Sequence, residues 1–244
     1  MQSAPYVELF FPRGPTMKLS WLVVASLAVF GCSGTKDAPA GPGADDTGTV
    51  VEDTTPAVDA APWLTYPEGP YGVDAKGQVF PHLKFEGYVG GEGGEWKTID
   101  TLDYYDPTGE RGIYGVLIVV GAKWCGPCNE EAKSLPKFFT DMYKDRGAKF
   151  LSLLIQDSTT SIPATQKTAD YWNGKYHLNF DLAIDPEQTS MPKAGAGIPR
   201  NYIVNPRNMQ IVRINSGVDP TYVGIPGLKP LLDYNGAPAA PAAP

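Results

Sequence analysis

A continuous apolar stretch, "GVLIVVGA" at residues 115–122, stands out from the mixed pattern around it. Its β-branched residues, short length and Gly and Ala ends predict a strand buried on both faces. Beyond it, "NEEAKSLPKFFTDMYKDRG" places Ala132, Leu135, Phe138, Phe139 and Met142 at helical spacing, with Gly147 as the stop. Pro136 inside that pattern predicts a kink or break. "KFLSLLIQD", 149–157, reads as a second buried strand, and "PATQKTADYWNGKY", 163–176, as a second helix with Pro163 near its start. "FDLAID", 180–185, is a short strand; "RNYIVN", 200–205, and "MQIVRIN", 209–215, are strands joined by a "PRN" hairpin. A last helix is expected to begin near Asp219-Pro220, made irregular by Gly224, Pro226, Gly227 and Pro230. Strands that alternate with helices and end in a hairpin imply an α/β fold, a central mixed sheet with helices on both faces. Between 63 and 112 the pattern is weaker: "LKFEGYV" and "WKTIDTLDYYDP" suggest short strands around a flexible "GGEGGEW" turn.

The two ends lack such patterning. Met17-Lys18 precedes "LSWLVVASLAVFG", an apolar run too short for a membrane-spanning helix, which needs about 20 apolar residues. A basic start and a short apolar run make residues 1–31 a secretory signal peptide, with Met17 as an alternative start. The run ends in "VFGC", which resembles a bacterial lipobox. The resemblance implies that Cys32 is lipidated and becomes the first mature residue, and Ser33 after it leans toward outer-membrane sorting. Several acyl chains on one cysteine would anchor the protein firmly. Residues 32–62 are rich in Ala, Pro, Gly, Thr and Asp and bury too little apolar surface to offset ordering entropy. They read as a disordered tether, spanning on the order of 30 Å by flexible-chain scaling. "GAPAAPAAP", 236–244, reads as a second disordered tail, which leaves 63–235 as the folded domain.

A formal net charge of −7 argues against a nucleic-acid partner, which would call for a basic face. With Cys32 assigned to lipidation, the remaining two of three cysteines, Cys125 and Cys128, lie in "KWCGPCNEE", 123–131. A structural bridge between them would close a very small loop and constrain little of the unfolded chain. Zinc needs four ligands, and the two histidines, His82 and His177, have no ligand spacing; they read as surface or half-buried residues. No metal or other cofactor is expected. A redox pair fits better. A buried strand runs into Trp124-Cys125 and a helix begins at once, with Gly126 and Pro127 in its first turn. Free N–H groups and the helix dipole there favour a thiolate. Cys125 would be the nucleophile, its sulfur exposed, and Cys128, one turn on and facing inward, the resolving thiol. Export would place both in an oxidising compartment.

At "VLIVVGAKWCGPC" the chain resembles the thioredoxin superfamily, over about residues 75–235. "GAGIPRNYIVNP" resembles the segment that carries the superfamily's cis-proline, which faces the cysteine pair and binds extended substrate. Pro199, after Ile198, is the matching residue, and Arg200 follows where a smaller residue is commoner, making the local surface more cationic. Glu131 matches the acid of the "CxxCxxE" pattern in the exported, membrane-anchored ResA- and TlpA-like branch, where its implied role is to tune the thiols and help move protons. Glu130 and Glu131 point about 100° apart on a helix, so one of them can face the pair, while the dipole would favour both as solvated first-turn acids. The long insert before "FDLAIDP" also fits that branch. There are departures: Val119 stands where thioredoxin has a buried Asp, and Pro136 lies eight residues after Cys128 rather than five. Peroxiredoxins resemble this fold but need a Pro and a Thr spaced ahead of the reactive cysteine, a neighbourhood that Gly121 and Ala122 occupy here, and CxxC rather than CxxxC spacing disfavours copper delivery.

The resemblance implies a lipid-anchored, extracytoplasmic thiol–disulfide oxidoreductase acting on protein disulfides. Trp124, Gly126, Pro127, Ile198 and Pro199 would shape its substrate groove. Gly-Pro between the cysteines is the dipeptide of reducing thioredoxins, whose potential is about −270 mV. A reductase outside the cytoplasm implies a membrane electron donor, and apocytochrome c is the client common in this branch. The alternative is a scaffold or binding lipoprotein of an envelope complex with a vestigial or redox-sensing pair.

Overall fold

The computed structural model describes residues 65–218 and 227–239. Cys32, the leader, the tether and the expected helix start at Asp219-Pro220 lie outside these residues. Seven strands form one sheet in the order β2-β1-β5-β4-β3-β6-β7. They are β1 (Lys84–Tyr88), β2 (Trp96–Asp100), β3 (Gly115–Ala122), β4 (Ala148–Gln156), β5 (Asp181–Ile184), β6 (Arg200–Asn205) and β7 (Gln210–Ser216). β3, β4 and β5 run parallel, while β1, β2, β6 and β7 complete the sheet by antiparallel pairing. Every residue of β3 is buried, as its unbroken apolar run requires of a central strand.

The helices are α1 (Gly126–Phe138), α2 (Gln166–Tyr176) and α3 (Leu228–Tyr234). Val119 on β3 is in register with Ser152 on β4 and with Asn201 on β6, so the three share one face. On that face α1 and α2 close over them, Trp172 and Cys128 lining the same small cavity as Val119 and Ser152. Ile118 and Tyr202, also in register, belong to the opposite face, where Phe80 packs edge-on against Tyr202 at 5.6 Å.

Pro136 does not stop α1. The helix runs two residues past it and then widens into a π-turn over Phe139–Tyr143, whose first N–H reaches both Leu135 and Pro136 carbonyls. Proline cannot donate to Ala132, and the wider turn absorbs the mismatch where the ring would otherwise crowd the preceding carbonyl. Gly147 ends the segment at φ 69°, and a Cβ there would strike the Gly112 carbonyl.

The expected strands between 83 and 107 form the hairpin β1–β2, followed by a single 3₁₀ turn, Thr101–Tyr104, capped by Asp100. Ahead of it, the chain from Pro70 to Phe80 forms a strap along β7. Phe80 N–H donates to Met209 O at 2.8 Å, Gly77 N–H to Ile211 O at 2.8 Å, and Ile211 N–H returns to Gln78 O at 2.8 Å. The strap thereby covers part of an otherwise open sheet edge. The tail expected to be disordered from 236 begins docked: Ala237 N–H donates to Leu232 O at 2.9 Å and the buried Arg146 Nε donates to Pro238 O at 2.8 Å. Arg146 also pairs with Asp233 at 2.5 Å, and that guanidinium is the partner the sequence did not reveal.

Candidate active site

Cys125 is the N-cap of α1, with Gly126 and Pro127 in the next two positions and Cys128 in the third. Its Sγ accepts from Cys128 N–H at 3.2 Å, and the two cysteines are joined by a disulfide with Cα atoms 5.2 Å apart. The strand-to-helix turn that presents them is fixed from behind. Lys123 and Trp124 N–H groups donate to Gln156 O and Asp157 O at 3.1 and 3.0 Å, so the turn is stitched to the end of β4. Asn129 amide N–H groups donate to Lys123 O at 3.0 Å and Cys125 O at 2.7 Å, while its oxygen accepts from Lys175 at 3.0 Å and from the Tyr176 hydroxyl. One side chain therefore clamps the CxxC turn to α2.

Lys123 pairs with Asp157 at 3.0 Å, and Thr168 donates to the same carboxylate at 2.6 Å. The Thr168 hydroxyl bond is the largest influence holding the Asp157 carboxyl below the usual range; burial opposes it and the Lys123 ammonium reinforces it.

Ile198-Pro199 is a cis peptide, and the Ile198 carbonyl oxygen lies 3.7 Å from Cys125 Sγ. Trp124, Cys125, Gly126, Pro127 and Ile198 line one cleft of about 720 Å³, closed on its other side by the loop from Glu187 to Gly197. The structure thus brings together these residues of the expected groove with Cys125; Pro199 sits beside them in the chain. Cys125 itself is 3% exposed, a correction to the expectation of an exposed sulfur. Trp124, 41% exposed, and the Ile198-Pro199 loop overhang it, so the sulfur is reached from within the cleft.

Of the two adjacent acids, Glu130 faces solvent and pairs with Lys133 at 2.6 Å, whereas Glu131 is buried. Its Oε1 accepts from Asn201 Nδ2 at 2.8 Å, and it lines a cavity of about 10 Å³ together with Cys128, Val119, Gly121, Ser152 and Trp172. Val119 leaves room on this face that an acid from the helix fills instead.

Arg200 corrects another expectation. It is buried rather than a surface cation, with Nε donating to the Tyr202 hydroxyl at 2.7 Å and its other nitrogens to Ser216 Oγ at 3.3 Å and Val73 O at 3.2 Å. Tyr202 in turn donates to Ser190 O at 2.8 Å. The guanidinium finds partners on three separate segments, which outweighs its desolvation.

His82 and His177 sit at the surface, paired with Asp100 at 2.8 Å and Glu92 at 2.7 Å. Among the described residues no group of His, Cys, Asp and Glu could hold a metal ion, and no helix is long and apolar enough to cross a membrane. Sequence reasoning missed Asn129, Gln156 and Asn201. Gln156 was within reach, since ligands gather at the carboxyl ends of parallel strands and it ends β4.

The family described as AhpC/TSA matches residues 77–214, more than half of the chain. No protein of curated function matches the sequence. Among solved structures, the chain is similar to a Chlorobium tepidum protein assigned as thiol:disulfide interchange protein DsbE, at 20% identity and TM-score 0.49, over 66% of this chain and 97% of that one. It is also similar to Mycobacterium tuberculosis AhpC, at 16% identity and TM-score 0.47, over 66% and 93%. A third likeness is the thioredoxin domain of thiol-disulfide oxidoreductase BVU-2223 from Bacteroides vulgatus, at 17% identity and TM-score 0.46, over 61% and 93%.

Proposed function

This chain belongs to the AhpC/TSA family and is a thioredoxin-like oxidoreductase, and from that premise we propose that it reduces protein disulfides by dithiol exchange at Cys125 and Cys128. The observation that carries the reading is the Cys125–Cys128 pair at the N-terminus of α1, opening into a cleft walled by Trp124 and Ile198.

In the reduced enzyme the Cys128 N–H and the helix dipole stabilise a Cys125 thiolate. That thiolate attacks one sulfur of a client disulfide. A Cys125–client bond forms, the client S–S bond breaks, and the released client sulfur leaves as a thiolate. Cys128 gives up its proton and attacks Cys125 Sγ, so the Cys125–Cys128 bond forms as the Cys125–client bond breaks. The client gains two electrons, its two thiolates take protons, and the enzyme ends oxidised. Trp124, Gly126, Pro127, Ile198 and Pro199 hold an extended client segment across the cleft. Glu131, buried beside Cys128, takes the Cys128 proton. Gly-Pro between the cysteines supports the reducing direction, and turnover then requires an outside dithiol donor, one held in the membrane for an exported enzyme. Apocytochrome c is the client class that fits the ResA- and TlpA-like pattern. Hydroperoxide turnover is not proposed, because the Pro and Thr which that chemistry needs ahead of the reactive cysteine are absent from the neighbourhood of Gly121 and Ala122.

The same reading makes residues 1–31 a leader, Cys32 a lipidated anchor and 32–62 a tether that places the domain on the periplasmic side of the envelope, at the outer membrane. Release of Cys32→Ala into the soluble fraction supports the anchor; unchanged membrane association defeats it.

The reductase reading is tested by insulin reduction with wild type and Cys125→Ser/Cys128→Ser. Activity present in wild type and abolished in the double variant is expected. A wild type with no activity favours a scaffold lipoprotein with a vestigial pair, and activity that survives the substitutions removes the pair from the chemistry. A potential near −120 mV against glutathione, the range of strong oxidants, would reverse the direction.

A further inference from the structure

We infer that Asn201 is a positioning residue for the thiol chemistry: it holds Glu131 as the acceptor of the Cys128 proton. The inference rests on the redox reading of the cysteine pair. Asn201 lies on β6, two residues beyond cis-Pro199, and Val119 separates it in the sheet from Ser152 on β4. Its side chain is buried, and Nδ2 donates to Glu131 Oε1 at 2.8 Å across the sheet–helix interface.

An amide N–H donor stabilises a carboxylate more than a carboxylic acid, because the charged oxygen is the stronger acceptor. In a site this enclosed, that bond favours the charged carboxylate, the form that can accept a proton. The small cavity beside Glu131 is lined mostly by groups that carry no charge. β3 contributes Val119 and Gly121, β4 Ser152 and Leu154, α1 Ala132 and Leu135, and α2 Trp172, with Leu178 just beyond; none of these titrates. Cys128 is the other ionisable group on the cavity wall. The cavity that Cys128 and Glu131 both line, about 10 Å³, admits at most about one water, so a proton passing between them would cross no more than that. One strand thereby addresses both thiols: the carbonyl of Ile198, just ahead of it, lies against Cys125, and Asn201 acts on Cys128 through Glu131.

The test uses stopped-flow reaction of the reduced protein with an aromatic disulfide whose thiolate product is coloured. The first release of colour reports attack by Cys125, and the second reports attack by Cys128 on the mixed disulfide. Asn201→Leu is expected to move the pH midpoint of the second phase upward by about one unit, the size of shift that losing one hydrogen bond to a charged group produces. The first phase should be unchanged. In a Glu131→Gln background, Asn201→Leu should move nothing further. If Asn201→Leu does not fold, Asn201→Ser withdraws the donor with a smaller side chain and carries the same expectation. An unmoved second-phase midpoint in a folded variant, or an equal shift when Glu131 is already Gln, overturns the inference. Absence of both phases in wild type instead strikes the redox reading of the pair, so the two failures are distinct.

Discussion

The indole N–H of Trp124 donates to Gln156 Oε1 at 3.0 Å, fixing a half-exposed aromatic ring at the lip of the cleft. Gln156 is itself held, its amide donating to Thr160 O at 2.6 Å. The ring's orientation is therefore set by the end of β4 rather than by its own turn. Gln156→Ala should free the ring, weaken client docking by about 1 kcal/mol, and lower kcat/KM for a protein disulfide roughly five-fold. Small-molecule disulfides should react at the wild-type rate. Equal losses on both substrates would show that Gln156 acts on the thiols instead.

Gly121 leaves little room for a side chain beside Cys128. A Cβ there would lie 3.2 Å from Cys128 Cβ and 3.3 Å from its Sγ. Gly121→Ala should displace Cys128 at a cost of about 1–3 kcal/mol and slow resolution more than attack. The expected signature is accumulation of the Cys125–client mixed disulfide, seen by mass spectrometry after acid quenching. A variant that turns over without that intermediate would contradict the geometry.

Arg200 joins β6, β7, the Val73 turn and, through Tyr202, the Ser190 loop. Arg200→Met should cost about 2–3 kcal/mol, read as a lower urea midpoint at unchanged slope. Arg200→Lys should recover little of it, since a single ammonium cannot serve the same spread of acceptors. Full recovery by lysine would mean that charge alone matters there.

Asp157 makes stability at this end of the sheet depend on pH. Its carboxyl is held below the ordinary range in the folded chain, first by Thr168 and then by Lys123 against opposing burial. A lowered folded value means the stabilisation is present above the unfolded value, about 3.9, and is lost as pH falls through the folded one. Asp157→Asn should therefore melt lower than wild type at pH 7, and the gap should narrow below about pH 4. A gap that stays constant down to pH 2 would remove Asp157 as its source.

The central strands, the helix at the cysteine pair and the facing proline were legible because each rests on local pattern: an unbroken apolar run, helical spacing, or a motif. What was not legible depended on distant partners. Arg200 reads as a surface cation until Val73 O, 127 residues away, is brought to it. Helical spacing alone lets either Glu130 or Glu131 turn inward, and Asn201, 70 residues on, is the donor that Glu131 meets there. The β1–β2 hairpin was faint because its strands are short and partly exposed, and Gly87 interrupts β1 where a Cβ would meet the Leu182 carbonyl.

The strap from Pro70 to Phe80 gives the cleft a mechanical connection to whatever precedes the domain. A pull on the strap would load the bonds that Gly77 and Phe80 donate to Ile211 O and Met209 O and the one that Gln78 O accepts from Ile211 N–H. Val73, in the same strap, carries that load to Arg200 and hence to the wall beside Pro199. A load on the strap would thus reach the cleft beside Cys125 through a single guanidinium.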